Sequence, residues 1–180
     1  MRRLALLGCL VSLFAAPAAT PASAGAAKVP SGCWLGKGVH AGSFASGPVQ
    51  GKVTSGTIAL HLWVGKGGDA VGLLTTGGIG KGAVKVSGST LSLTVVMKGR
   101  FDVTGSASKL VVNGKDRWAG TAKGSGQFIS VPVKLVLPVK NAPLAIVAVQ
   151  HNRVTFRYGK APFVANRVKK LPKPVGELCG

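Results

Sequence analysis

Apolar and polar residues alternate along two segments of the chain, with the period of two that a β-strand imposes on its side chains. In residues 57–64 every second position is Ile, Leu or Val, and the positions between are Thr, Ala, His and Trp. Residues 90–98 repeat the pattern, with Leu, Val and Met alternating against Thr, Ser, Val and Lys. Both segments are therefore predicted to be strands with one buried face and one exposed face.

Strand-like segments recur along the rest of the chain at intervals of roughly 8–12 residues and are separated by glycine-rich turns, as in all-β domains. The pattern predicts about ten to twelve short strands in an antiparallel up-and-down barrel or a two-layer β-sandwich. The further predicted strands are 34–41, 49–54, 70–75, 81–86, 101–105, 110–112, 117–123, 127–137, 144–149 and 154–158. The predicted turns are 65–69, 77–78, 87–89, 113–114 and 138–143, and the chain from Ala165 onward is predicted to be an extended surface tail.

The N-terminal residues have the pattern of a secretory signal peptide. Arg2 and Arg3 precede an almost wholly apolar stretch over residues 4–16, and Ala22-Ser23-Ala24 supplies the small residues that signal peptidase reads. We therefore predict a cleaved signal peptide over 1–24 and a single β domain over 25–180. The best later candidate for a membrane span, residues 129–139, is interrupted by two prolines and a lysine, so no transmembrane span is expected after cleavage.

Cysteine usage agrees with export to an oxidising compartment. Cys9 belongs to the predicted signal peptide, which leaves Cys33 and Cys179 near the two ends of the domain. An even pair in an exported protein predicts a disulfide, and this one would tie the C-terminal tail to the start of the domain. The expected location is secreted, periplasmic or associated with the cell envelope.

The chain is strongly basic, with 23 Lys and Arg against 4 Asp and Glu. Such an imbalance favours anionic envelope polymers or lipid headgroups as partners, although it also serves solubility alone. Aromatic residues make up only 6% of the chain, which argues against sequence-specific nucleic-acid binding by base stacking. The candidate anion-binding residues are those that share strand faces: Lys81, Lys85, Lys98, Arg100, Arg153 and Arg157.

The titratable residues form no recognisable catalytic or metal motif. His40, His61 and His151 are far apart in the chain and lack metal-ligand spacing. Residues 76–82 are glycine-rich and contain a lysine but lack the Ser or Thr that a phosphate-binding loop requires next. The four acids are assigned to structure, namely Asp69 and Asp116 in turns, Asp102 beside Arg100 on a strand, and Glu177 beside the terminal cysteine. We predict no catalytic, metal or cofactor site.

Three functions remain open from the sequence. The first is an exported, non-enzymatic binding protein whose cationic sheet surface meets an anionic polymer or lipid surface. The alternative is a carrier of a small hydrophobic or lipid ligand inside a barrel, since closed antiparallel barrels can enclose such a ligand. The third and least favoured is a hydrolase built on histidine and serine, for which no Gly-x-Ser-x-Gly motif is present.

Overall fold

The computed structural model describes residues 27–46, 49–86, 88–124 and 130–179, and the predicted signal peptide, Ser87 and residues 127–129 of one predicted strand lie outside these ranges. The described chain is built of eight strands and one short 3₁₀-helix. The strands are β1 (Gly32–Ser46), β2 (Val49–Val64), β3 (Asp69–Val86), β4 (Ser89–Ser106), β5 (Lys109–Lys123), β6 (Ser130–Gln150), β7 (Arg153–Tyr158) and β8 (Ala161–Val168), and the 3₁₀-helix is Val175–Cys179.

The strands form one antiparallel ring with up-and-down topology. Each strand pairs with the next in the chain, and β8 returns to pair with β1, so that the ring closes. The prediction of an all-β antiparallel fold is confirmed. The predicted number of strands was wrong, because the structure has eight strands, and six of them have 15 residues or more.

Several segments predicted as turns lie inside strands. Gly77-Gly78 is in the middle of β3 and Asn113-Gly114 is in the middle of β5. The inward-facing glycines of these strands make room for aromatic rings instead of reversing the chain. A Cβ at Gly80 would lie 2.6 Å from Cε1 of Phe44, and one at Gly114 would lie 3.0 Å from Cδ1 of Phe101.

Residues 138–143, also predicted to be a turn, form a bulge within β6. The register between β5 and β6 shifts there, since Val112 pairs with Ala142 but Gly114 pairs with Val139. Asn141 adopts a left-handed φ of 51° at this bulge, and its backbone N–H donates to Oδ1 of Asn113 at 2.8 Å. The bulge bends β6 without ending it.

Apolar side chains fill the ring in two clusters, one above the other along the strands. The first lies in the half of the ring that contains β7 and β8; its buried aromatic residues are Trp34, Phe101, Phe156 and Phe163. The second lies in the other half; its buried aromatic residues are Phe44 and Trp118. The predicted inner faces are confirmed, with Ile58, Leu60, Leu62 and Val64 of β2 and Leu91, Leu93, Val95 and Met97 of β4 all buried.

The ring has eight strands in one half and six in the other, because β7 and β8 are short. Residues 33–37 of β1 pair with residues 164–168 of β8, and residues 144–150 of β6 pair with β7. Among the described residues, the rest of β1 and β6 has a partner on one side only. Continuing the β1–β8 register would bring Val39 opposite Pro162, which has no N–H to donate. We call these the eight-stranded half and the six-stranded half.

The C-terminal tail lies along the outside of the eight-stranded half. The chain from Ala165 to Val168 belongs to β8, so the predicted extended tail begins only after that strand. Leu171 and Val175 are buried in an outer cluster that includes Trp63 and Leu73. A disulfide joins Cys33 to Cys179, with their Cα atoms 6.0 Å apart, as the sequence predicted. No helix in the described part of the chain has the length and apolar character that crossing a membrane requires.

Candidate functional site

A cavity of about 410 Å³ lies inside the ring where the two core clusters meet. Its apolar walls come from both clusters and include several aromatic rings. Four polar side chains join them from four different strands. The apolar lining comprises Phe44, Val53, Ile58, Met97, Phe101, Trp118 and Val139; the four inward polar side chains are His40, Thr76, Asp116 and Tyr158, and Ser43 and Lys160 add polar groups at the mouth.

Strand alternation directs Asp116 into this cavity. On β5 the side chains of Leu110, Val112 and Trp118 are buried, and Asp116 occupies the same parity of the strand. Its neighbours Lys115 and Arg117 are exposed on the outer face. The prediction that Asp116 lies in a turn was therefore wrong, because the chain runs straight through this region as part of β5.

The carboxylate of Asp116 is fixed at one oxygen and unpartnered at the other. The indole N–H of Trp118 donates to Oδ2 at 2.9 Å. Oδ1 is buried and, among the described residues, accepts no hydrogen bond. Burial raises the pKa of the Asp116 carboxyl, and the indole N–H of Trp118, the nearby backbone N–H of Arg117 and the charge of His40 oppose that rise.

His40 and Tyr158 approach the cavity from β1 and β7. The imidazole of His40 covers Gly56 of β2 so closely that a Cβ there would lie 2.7 Å from Nε2. The ring of Tyr158 packs against Phe101 with centroids 5.8 Å apart. Burial raises the pKa of the Tyr158 hydroxyl, and the charge of Asp116 adds to the effect. Three titratable groups that are distant in the chain thus face one apolar space.

The mouth of the cavity lies at the boundary between the two halves of the ring. Residues 41–43 of β1 and residues 159–160 of the turn between β7 and β8 line the cavity and are exposed to solvent. This is the level at which β1 loses β8 as a neighbour. A ligand therefore has a route between β1 and the β7–β8 turn that does not require any strand pair to open.

No protein-family model, curated protein or solved structure matches this chain. The function therefore has to be inferred from the chemistry of the cavity and of the outer surface. The cavity cluster is not predictable from the sequence because its members come from β1, β5 and β7, whose mutual positions depend on ring closure. One indication of the cluster was present in the sequence. A single face of the segment 110–118 carries every second residue, among them Leu110, Val112, Asp116 and Trp118.

The other histidines and acids lie apart from the cavity. His61 is on the outer face of β2, where burial and, to a lesser extent, the charge of Lys37 lower the pKa of its imidazole. His151 is exposed in the turn between β6 and β7. Glu177 forms an exposed ion pair with Lys173 at 3.1 Å. Within the described ranges, no group of three His, Cys, Asp or Glu residues is placed to hold a metal ion.

The candidate anion-binding residues are all exposed, but they occupy separate strands. Lys81 and Lys85 are on β3, Lys98 and Arg100 are on β4, and Arg153 and Arg157 are on β7. The pair on β4 gains neighbours that the sequence analysis did not include. Lys98 lies directly opposite Arg117 of β5, and Arg100 lies directly opposite Lys115.

These four residues form a patch of like charge across two strands, which we call the β4–β5 cationic patch. Like charges directly opposite one another destabilise a sheet by a few tenths of a kcal/mol to about 1 kcal/mol per pair. Asp102 is the nearest acid along β4 and is itself exposed. None of the four basic groups forms a salt bridge with a described acid.

Proposed function

We propose that the protein is an exported, non-enzymatic binding protein that carries a small, mainly apolar ligand in the cavity between its two core clusters. The observation that carries this proposal is the cavity itself, a space of about 410 Å³ lined by residues of both core clusters. The sequence analysis ranked the cationic surface first and the carrier second. The cavity reverses that order, because it provides a concave, mainly apolar binding volume inside the ring.

The size and lining of the cavity fit a small ligand. Ligand pockets are typically about 300–1,000 Å³, mostly apolar, and contain a few polar groups that orient the ligand. Aromatic walls supply large contact areas at low cost in side-chain entropy. Phe44 and Trp118 already pack edge to face, with ring centroids 4.8 Å apart and an interplanar angle of 76°, so that wall is preformed.

Export is part of the same proposal. The disulfide between Cys33 and Cys179 is the kind of bond that persists in oxidising compartments. The N-terminal pattern of two arginines, an apolar run and Ala22-Ser23-Ala24 is typical of a secretory signal. Both support a secreted or envelope-associated carrier. Mass spectrometry of the exported protein tests the proposed export. The expected N-terminus is close to residue 25, and the expected mass is two hydrogens below that of the reduced chain.

The first experiment asks whether the protein arrives with a ligand. The protein is purified under native conditions from its own source, extracted with organic solvent and analysed by mass spectrometry. A carrier should yield one small molecule, or one narrow class, in near-stoichiometric amount. An empty extract, together with no binding of neutral apolar fluorescent probes to the purified protein, would rule out the carrier function.

Matched variants locate the binding at the cavity. Val53→Phe adds a ring to a residue that lines the cavity, whereas Val96→Phe makes the same change on the exposed face of β4. We expect the first to abolish probe binding and the second to leave it unchanged, with near-UV circular dichroism showing that both fold. If Val53→Phe does not fold, Thr76→Leu gives a smaller obstruction at another lining position. Equal binding by all three variants would place the ligand elsewhere.

A second candidate function is adhesion to an anionic polymer or lipid surface through the β4–β5 cationic patch. The observation that favours it is the direct opposition of Lys98 to Arg117 and of Arg100 to Lys115. This arrangement costs folding stability and concentrates positive charge on one face. Lys134 of β6 lies opposite Ala119, next to Arg117 on the same face, and extends the patch.

The test separates a patch from net charge alone. One variant replaces Lys98, Arg100, Lys115 and Arg117 with Gln, and the control replaces Lys81, Lys85, Arg153 and Arg157 with Gln. Both lose four positive charges. If the patch binds, the first variant elutes from a sulfated polysaccharide column at clearly lower salt than the control, since each lost contact lowers the salt dependence of binding. Identical elution would show that only net charge matters.

A further inference from the structure

The polar end of the cavity is built around an acceptor that has no donor. Oδ1 of Asp116 is buried and receives no hydrogen bond from any described residue. An unmet buried acceptor costs about 1–3 kcal/mol, and more when it is charged. Native proteins seldom retain such a group without a role. The ring could have avoided the cost with an apolar residue at this inward position of β5.

Asp116 is also held in a defined orientation. The indole N–H of Trp118 donates to Oδ2 at 2.9 Å from two residues along the same strand. The ring of Trp118 is in turn packed against Phe44 of β1. The carboxylate group is thus held in one orientation at the wall of the cavity. Such an arrangement provides a prepositioned acceptor for a ligand group.

We propose that the ligand of this cavity carries a protonated amine that pairs with the carboxylate of Asp116 while its apolar body occupies the aromatic space beside it. This inference rests on the proposed carrier function and names the ligand class. An ammonium group neutralises the buried carboxylate in one contact, and charge-assisted hydrogen bonds of this kind are the strong ones. The faces of Phe101, Trp118 and Tyr158, which also line the cavity, are favourable surroundings for a cation.

The proposed ligand is a cation although the protein as a whole is strongly basic. A chain with 23 basic and 4 acidic residues attracts anions from a distance, and a fatty acid would be the default ligand for a basic carrier. Inside the cavity the charges are different. A ligand carboxylate beside Asp116 would bring two negative charges together in an apolar space, where repulsion is weakly screened. His40 is the basic group inside the cavity, Lys160 lies exposed at the mouth, and Tyr158 has a neutral hydroxyl.

The test compares ligands that share one apolar body and differ in the head group. The probes are 4-phenylbutylamine, 4-phenylbutanol and 4-phenylbutyric acid, and binding is measured by calorimetry at neutral pH. We expect the amine to bind about tenfold or more tightly than the acid, with the alcohol between them. Asp116→Asn, which keeps the shape and removes the charge, should abolish the preference for the amine. The control Asp102→Asn alters an exposed acid on β4 and should keep it.

The possible failures are distinguishable. If the acid binds as tightly as the amine, or if Asp116→Asn keeps the preference for the amine, the inference about the ligand class is wrong and the carrier function stands. If none of the three probes binds and the natively purified protein carries no ligand, both are wrong. Circular dichroism and an intact disulfide in Asp116→Asn confirm that a lost preference comes from the carboxylate and not from unfolding.

Discussion

Trp118 donates its indole N–H to Oδ2 of Asp116 across two residues of one strand, and both side chains face the interior of the ring. A direct contact between residues i and i+2 follows from strand geometry, since every second side chain points to the same face. The pair combines a large apolar ring with a carboxylate. This makes β5 both a wall of the core and the polar end of the cavity.

Trp118→Phe should destabilise the protein by about 1–3 kcal/mol at neutral pH, because the ring is largely kept but the buried carboxylate loses a donor. The pKa of Asp116 should rise further, since the hydrogen bond from Trp118 is among the interactions that oppose the effect of burial. Urea unfolding measures the first effect and NMR titration the second. Trp63→Phe, in the outer cluster, is the control. An unchanged Asp116 pKa in Trp118→Phe would contradict the role of this hydrogen bond.

Replacing Asp116 with Asn should change how stability depends on pH. Burial raises the pKa of this carboxyl in the folded protein, so the folded state holds the proton at pH values where the unfolded chain has released it. The resulting stabilisation is fully present below the pKa of the unfolded chain and is lost as the pH rises through the folded pKa. The stability of the natural protein relative to Asp116→Asn should therefore fall as the pH rises above about 3.9, the ordinary pKa of an aspartate in an unfolded chain, and level off above the folded pKa. Denaturant midpoints across this range measure it, and a constant or rising difference would contradict the prediction.

Removing the disulfide should loosen the tail before it unfolds the ring. The double variant Cys33→Ser/Cys179→Ser should lose about 2–5 kcal/mol, and Leu171 and Val175 should become free to leave the outer face of β1–β3. Limited proteolysis after the exposed Lys169 and Lys170 should become faster than in the parent. Leu178→Ala, an exposed neighbour of Cys179, is the control and should be cleaved at the parent rate. An equally protected tail in the double variant would show that packing alone holds it.

Gly38→Ala should weaken the junction where β8 meets β1. A Cβ at Gly38 would lie 2.6 Å from Cβ of Phe163, so the two strands would have to move apart, and overpacking of this kind costs about 1–3 kcal/mol. Gly42→Ala is a matched control on the same strand, because no atom lies within 4 Å of its Cβ position. Its effect on stability should stay within about 0.5 kcal/mol. Equal unfolding midpoints for the two variants would contradict close packing at Gly38.

The local part of the fold was predictable from sequence, as residues 57–64 and 90–98 show. Ile58, Leu60 and Val64 are at most 2% exposed, on the face that alternation assigned to the core. The period of two depends only on strand geometry, and therefore it is the same whichever strands lie on either side. Glycines inside the long strands interrupt this alternation, and therefore the pattern predicts several short strands where the structure has one long strand.

The predicted strand boundaries were wrong where glycine can have either of two structural roles. Glycine ends strands in turns, but it also allows a ring or a neighbouring backbone to approach closely. At Gly80 the second meaning holds, because Phe44 occupies the space that a side chain would need. At Gly105 the backbone has a positive φ of 136° at the end of β4, which is the first meaning. Only the tertiary structure separates the two cases.

The cavity was beyond sequence reasoning for a different reason. His40 and Asp116 are far apart in the chain, and they meet only because six strands curl round and a hairpin closes the ring. The bulge at Asn141 and the short β7 and β8 decide where that closure stops. The strand register and the point of closure depend on contacts between residues that are distant in the chain. No local sequence pattern therefore predicts the cavity.

The C-terminal tail and the residues before β1 lie at the same end of the molecule. Val29 is buried under the eight-stranded half, where its N–H donates to the carbonyl of Ala107 at 2.8 Å, and Cys179 is bound to Cys33 at the start of β1. The entrance beside Ser43 and Lys160 lies part-way along the flank. A protein attached by its carboxyl end to a bead or a sensor chip would therefore keep that entrance open to the medium, so probe binding can be measured on the immobilised protein.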